Sequence, residues 1–200
     1  DKVGGQGALG SGAWGAGDVM YADLDGKPGI TKGAQTLEDH GDLKVIGNNT
    51  PRYAFGLDLN IGYKGFDLRL FFQGVMKRDY WQGSNYFWGV GQWGQWWSMG
   101  LKEHEDYFRA DPVGLSGHEI AANTDAYYPR PRFDSTQNQE VQTRYLQNAA
   151  YIRLKNFQFG YTLPSSLLGK MHISNLRIFV SGENLWTGTK LSRLFDPETL

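Results

Sequence analysis

The sequence has no cysteine among its 200 residues, which excludes disulfide scaffolds, thiolate metal sites and cysteine nucleophiles. It also lacks an excess of either charge, since 20 basic residues face 21 acidic ones, and no nucleic-acid partner is expected. No apolar run approaches the roughly 18 residues of a transmembrane helix. The chain opens with DKVGGQG, without an initiator methionine or a signal segment, so we expect it to be processed or cut from a longer protein.

Glycine and aromatic side chains are abundant instead. The chain has 27 glycines, 14% aromatic residues and a mean hydropathy of −0.50, so turns and rings are many and long aliphatic stretches are few. Such a composition is typical of all-β proteins, including outer-membrane barrels, whose alternating strands keep the average hydropathy low. We therefore expect an all-β chain.

Residues 52 to 75 alternate apolar and polar side chains on both sides of a tight Lys64-Gly65 turn, which predicts a β-hairpin. One face of this hairpin carries the odd positions from 53 to 63 and the even positions from 66 to 72, which are apolar. The other face carries the polar side chains Asp58, Asn60, Asp67, Arg69 and Gln73. Arms of about ten residues fit either a soluble sandwich or a transmembrane barrel.

A second hairpin is predicted for residues 149 to 187, with a bulge near Asn156 and one helical turn that begins at Pro164. About seventy residues separate the two hairpins, whereas the strands within each are joined by short connections. This asymmetry is typical of outer-membrane barrels, which have tight periplasmic turns and large extracellular loops. Rings near strand ends, Tyr53, Tyr63 and Trp186, are expected at the two membrane interfaces.

Several separated segments resemble, in order, the C-terminal barrel part of the SusC/RagA family of TonB-dependent outer-membrane transporters. These are IGNNTPRYAFGLDLNIGYKGFDLRLFFQGV, YYPRPR, RYLQNAAYIRLKNFQFGYTLPSSLL, and LRIFVSGENLWT followed by FDPE. The resemblance runs from about Gly17 to Pro197. It implies part of a 22-stranded antiparallel transmembrane barrel in the outer membrane of a Gram-negative bacterium.

The resemblance also implies a function without covalent chemistry or a cofactor. The whole protein would import glycans or peptides, with a SusD-like surface lipoprotein as its lid and with energy from the TonB complex. Residues 1–51 and 76–148 would be extracellular loops, residues 52–75 and 149–187 would be lipid-spanning hairpins, and the plug domain and final strands would be absent. The apolar hairpin face would then contact outer-membrane lipid, and the polar face would line the lumen or contact the plug.

The 76–148 loop is rich in rings that suit contact with a ligand or a partner. The candidates are Tyr80, Trp81, Tyr86, Trp88, Trp93, Trp96 and Trp97. Three interpretations remain open at this point: packing within the loop, contact with the lid lipoprotein, and stacking on a substrate. A soluble all-β carbohydrate-binding module would also use such rings, and would bury its apolar strand faces in one core; a porin-like channel is a further alternative.

Four other segments each lack part of the motif that they resemble. GQGALG and GSGAWG lack the flanking strand and helix of a dinucleotide site. DLDGKPGITKGA, with Asp23 and Asp25, has Pro28 where a calcium loop needs its sixth-position glycine and Ala34 where it needs its twelfth-position glutamate. We therefore expect a turn. EHED at 103–106, in a short helix expected around residues 96–109, has no second histidine one turn on and is expected to be a solvated acidic face. We therefore predict no metal site and no catalytic residue.

Overall fold

The computed structural model describes residues 6–9, 14–89, 100–133, 135–169 and 173–200. The chain forms two compact units. The loop unit consists of Asp1–Ile46 and Gln82–Tyr145, and the sheet unit consists of Gly47–Trp81 and Leu146–Leu200. The loop that separates the two hairpins in sequence is therefore divided between the units.

The described strands of the sheet unit are β1 (Arg52–Tyr63), β2 (Phe66–Lys77), β3 (Asp79–Tyr80), β4 (Gln147–Asn148), β5 (Tyr151–Thr162) and β6 (Arg177–Thr189). The four long strands form an antiparallel sheet in the order β1-β2-β5-β6, and β3 pairs with β4 in a short two-stranded ladder. The α-helical turns of the described residues are α1 (Asn85–Trp88) in the loop unit and α2 (Ser165–Leu168) in the sheet unit, and three 3-10 turns lie at Gln6–Leu9, Lys102–Glu105 and Gln137–Gln139.

Both predicted hairpins are present, with small shifts of their bounds. β2 continues to Lys77, and the second hairpin begins at Tyr151 and ends at Thr189. The first turn has positive φ at both central residues, 48° at Lys64 and 88° at Gly65, as a type I′ turn requires. This turn matches the right-handed twist of the strands that it joins, which explains the two-residue connection.

One face of the four-stranded sheet is apolar from edge to edge. The register sets Ile61 opposite Leu68, Leu68 opposite Phe159, and Phe159 opposite Val180. The predicted bulge is confirmed, because the pairing shifts between Leu154 and Asn156. The extra residue changes the parity of β5, so that Ile152 and Leu154 lie on the same face as Phe157, Phe159 and Tyr161.

This apolar face is not covered. The exposed fractions of Leu57, Ile61 and Ile178 are 47%, 59% and 63%. A soluble module would bury these side chains, because their transfer from water contributes most of the stability of a core. The convergent core that the soluble alternative requires is therefore missing from the described part of the sheet.

Most of the buried rings among the described residues lie in the loop unit, which has a core of its own. Phe87, Trp88, Tyr128 and Tyr145 are 0%, 5%, 6% and 1% exposed. The prediction of a short helix around residues 96–109 was wrong for the described residues 100–109, which contain only a single 3-10 turn, Lys102–Glu105. Within the described ranges, no helix has the length and apolar character needed to cross a membrane.

Candidate functional site

The polar face of the sheet carries charged side chains in pairs. Arg69 donates from Nη2 to Asp58 Oδ2 at 2.7 Å, and Asn60 Nδ2 donates to Asp58 Oδ1 at 3.0 Å. Asn60 lies opposite Arg69 in the ladder, so this network joins β1 to β2. The sequence prediction that these residues share one face is confirmed by the register; that this face lines a lumen stays a prediction.

A second ion pair crosses an entire strand. Arg177 on β6 donates from Nε to Asp67 Oδ1 on β2 at 3.0 Å, although β5 lies between them. The pair passes over Gly160, where an added Cβ would lie 2.5 Å from Arg177 Nη2 and 2.7 Å from Asp67 Oδ1. We call Asp67 and Arg177 the crossing ion pair. A side chain at 160 would force this pair to shift, because the pair occupies the space that a Cβ would take.

The fifth predicted residue of this face, Gln73, lies opposite Arg153 of β5. Arg153 is 8% exposed and uses all three of its guanidinium nitrogens. Nε donates to Thr187 Oγ1 at 2.8 Å, Nη2 to Asp196 Oδ1 at 2.7 Å, and Nη1 to Glu198 Oε2 at 2.5 Å. The acceptors at 196 and 198 belong to the FDPE segment, which Arg153 thus ties to the sheet.

The ring candidates of the loop lie in different environments. Tyr86 is 73% exposed, whereas Trp88, two residues later, is 5% exposed and donates from Nε1 to the Gln82 carbonyl at 3.0 Å. Tyr80 and Trp81 belong to the sheet unit and are half-buried. The remaining predicted rings lie outside the described residues: Trp93, Trp96 and Trp97. The burial of Trp88 supports loop packing for that ring.

Trp88 belongs to a cluster of rings packed mainly edge to face. Phe87 and Tyr145 each lie 5.1 Å from Trp88 between ring centroids, and Phe87 lies 5.5 Å from Tyr128. Burial raises the pKa of both Tyr128 and Tyr145, so these phenols stay neutral. Sequence reasoning did not select Phe87, Tyr128 or Tyr145, because their spacing along an aperiodic loop carries no signal of burial.

His104 of the EHED segment is a buried member of this cluster. Leu101 donates its backbone N–H to His104 Nδ1 at 2.7 Å, so Nδ1 is unprotonated. Nε2 therefore carries the proton, which it shares with the Phe87 carbonyl at 3.0 Å. Glu103, Glu105 and Asp106 are exposed as expected, but the prediction of a wholly solvated face was wrong at His104.

The acidic group Asp23, Asp25 and Asp42 brings carboxylate oxygens within 4.8 Å of one another. These oxygens hold backbone turns. Asp42 accepts the Leu24 N–H at 2.6 Å and the Thr31 N–H at 2.7 Å, and Asp23 accepts the Gly26 N–H at 2.7 Å. The geometry agrees with the turn that the sequence predicts.

Polar and aromatic side chains line two cavities in the described part of the loop unit. One of about 630 Å³ is lined by Asp18, Tyr21, Lys44 and Arg144 among others. Burial alone would raise the pKa of Asp18, but hydrogen bonds from Arg132, Asn138 and the Gly15 N–H outweigh it and lower that pKa. The other cavity, of about 420 Å³, is lined by rings and by the PRPR segment at 129–132. We call it the PRPR cavity.

Comparison with known proteins finds similarity to TonB-dependent receptors. The chain is 32% identical over 173 residues to TonB-dependent receptor P3 of Formosa agariphila, and the aligned region covers 86% of this chain and 15% of that protein. It is 23% identical over 198 residues to TonB-dependent receptor P26 of the same organism, which covers 94% of this chain and 18% of that protein. The chain thus spans less than a fifth of the length of these curated relatives. No family model matches it.

Among solved structures, the RagAB peptide importer in its open-open state is similar with a TM-score of 0.47 and 25% identity, over 78% of this chain and 15% of that one. Another structure of the RagAB peptide transporter gives a TM-score of 0.46 and 26% identity, over 72% of this chain and 14% of that one.

Proposed function

Because this chain belongs to the TonB-dependent receptors, we propose that it forms a lipid-spanning and loop-bearing part of a SusC/RagA-type outer-membrane importer of glycan or peptide nutrients. In this proposal it catalyses no covalent chemistry. Energy comes from the TonB complex through parts of the transporter outside this segment, and a SusD-like lipoprotein covers the extracellular loops.

One observation carries the proposal: the sheet has an uncovered apolar face and an ion-paired polar face. Tyr53 and Tyr63, both exposed, lie at opposite ends of β1. Ten residue steps between them span roughly 33 Å along the strand at about 3.3 Å each. At a strand tilt of about 40° this becomes roughly 25 Å, the height of the apolar band of outer-membrane barrels.

The same geometry supports the assignment of the two faces. An uncovered row of Leu, Ile and Val side chains is more stable in contact with lipid than with water, whereas transfer of the charged side chains of the other face into lipid is unfavourable. The crossing ion pair and the Asp58–Arg69 pair therefore face the lumen or the plug. Outer-membrane lipid is the partner of the apolar face.

Spin labels placed on neighbouring residues test this assignment. We would place single cysteines at Leu59 or Asn60 in a cysteine-free full-length transporter, attach a nitroxide and reconstitute the protein in vesicles. Leu59 is expected to collide with oxygen, which concentrates in lipid, and to avoid a water-soluble nickel chelate. Asn60 is expected to avoid the lipid-dissolved oxygen. Equal oxygen collision at both sites, or burial of Leu59 from both reagents, would refute the lipid-facing sheet.

Import is tested separately in cells. Deletion of the transporter gene, or of tonB, is expected to abolish growth on the glycan or peptide mixture that induces the gene. Plasmid-borne transporter should restore growth only when TonB is present. Uptake that persists without TonB would contradict the proposed energy coupling and favour a porin-like channel.

A further inference from the structure

The PRPR cavity combines rings with positive charge. Its described lining includes Tyr107, Phe133, Arg130, Arg132 and His104, and no carboxylate among the described residues lines it. Phe133 is 54% exposed. One face of the Tyr107 ring is covered by the Arg109 guanidinium at 4.4 Å. The cavity therefore offers flat apolar surfaces beside guanidinium groups.

The two arginines of the cavity differ in their partners. Arg132 is held by Asp18, to which Nε donates at 2.8 Å, so its charge is neutralised within the protein. Arg130 is exposed, and within the described ranges its guanidinium donates to no acceptor. An arginine fork presents donors in the geometry that a carboxylate accepts in pairs. Arg130 is thus the group that would bind an anion here.

The backbone of the same wall cannot bind a peptide strand. Recognition of an extended peptide by strand addition needs a row of backbone N–H and C=O groups. Pro129 and Pro131 have no N–H, and the N–H of Arg130 is already donated to the Gly17 carbonyl at 2.8 Å. This wall therefore recognises its ligand through side chains, which favours a sugar over a peptide.

We propose that the PRPR cavity binds a carboxylate-bearing oligosaccharide, with Arg130 paired to a uronate carboxylate and with Phe133 and Tyr107 against the faces of the sugar rings. The proposal rests on the proposed import function and narrows its substrate to acidic glycans. Arg130 makes the cavity prefer acidic over neutral sugars, whereas the rings contribute to the affinity for both.

Binding of defined probes to the purified full-length transporter tests this proposal. The probes are tetragalacturonate, its neutral methyl ester, and tetraglutamate as an acidic peptide, each titrated by calorimetry at fixed salt. Tetragalacturonate is expected to bind about tenfold or more tightly than its ester, because only the acid makes the charged hydrogen bonds. Arg130→Gln should abolish this preference, whereas Phe133→Leu should weaken acid and ester by the same factor.

Lys102→Gln is the matched control, since Lys102 is exposed and lies outside the lining of the PRPR cavity. It removes the same charge and should keep the preference for the acid. The proposal fails if acid and ester bind equally or if neither binds. It also fails if both charge variants have the same effect, or if tetraglutamate alone depends on Arg130. Uptake by a strain that carries Arg130→Gln separates this proposal from the proposed import function. If uptake still depends on TonB and the preference for the acid is kept, the PRPR cavity is refuted as the binding site and the import function stands.

Discussion

Replacement of Trp88 by alanine should open the loop unit, whereas the same change at Tyr86 should not. Trp88 is 5% exposed, packs at 5.1 Å from both Phe87 and Tyr145, and donates a hydrogen bond to the Gln82 carbonyl. Tyr86 is 73% exposed. The pair therefore compares two aromatic truncations on one helical turn that differ in burial.

The magnitudes follow from burial. Truncation of a buried tryptophan to alanine costs about 3–5 kcal/mol, through lost burial and the cavity that remains. At about 1.4 kcal/mol for each factor of ten, exchange of amides that open with the unit should accelerate by roughly two to three and a half orders of magnitude. Tyr86→Ala should stay within about 0.5 kcal/mol, or roughly twofold. Trp88→Phe should fall between, because it keeps a ring but leaves the Gln82 carbonyl without its donor.

Hydrogen exchange with mass spectrometry on the full-length transporter in detergent measures these changes. The informative amides are those of Tyr128, which donates to the Asp106 carbonyl at 2.9 Å, and of Arg109, which donates to the Asn123 carbonyl at 2.9 Å. If Trp88→Ala left their exchange within twofold of the wild type, the ring would not hold the core together. Contact with a ligand or with the lid would then be the better interpretation of Trp88.

Three further changes test the packing described above. Gly160→Leu should break the crossing ion pair and reduce the heat-modifiable folded band on gels of outer membranes, whereas Gly62→Ala, with 3.9 Å to its nearest neighbour, should not. Arg153→Gln should expose residues 191–200 to limited proteolysis, and Arg193→Gln, an exposed control, should leave cleavage unchanged. Because the pKa of Asp18 is lowered in the folded protein, its ionised carboxylate stabilises the loop unit at pH values above the unfolded pKa of about 3.9. This contribution is lost as the pH falls through the pKa of Asp18 in the folded state. When the pH is lowered from 6, tryptophan fluorescence of the wild type should therefore lose its folded-state signal below about pH 4, and this loss should be smaller in Asp18→Asn. Identical titration curves for the two proteins would contradict the role assigned to Asp18.

Much of the sheet could be predicted because its signals are local. The alternation in residues 52–75 identified a hairpin and the polar set on its one face, and the Lys64-Gly65 pair located the turn. The change of parity in β5 located the bulge. Each of these signals lies within a few residues of the feature that it predicts.

The loop unit could not be predicted in the same way. Its rings are visible in the sequence, but neither spacing nor composition distinguishes exposed Tyr86 from buried Trp88. The EHED segment was expected to be solvated throughout, yet His104 turns inward because the Leu101 N–H and the Phe87 carbonyl satisfy both of its ring nitrogens. Such partners depend on the path of an aperiodic chain.

The sequence alone determined the strand pattern, the two chemically distinct faces and the family resemblance, because period-two alternation and turn residues are properties of neighbours in the chain. The tertiary structure decided which residues from distant segments meet. Arg177 reaches Asp67 over Gly160 across 110 positions of sequence, and Asn138 reaches Asp18 across 120. No local pattern encodes these contacts, since they arise only when strands and loops have taken their places.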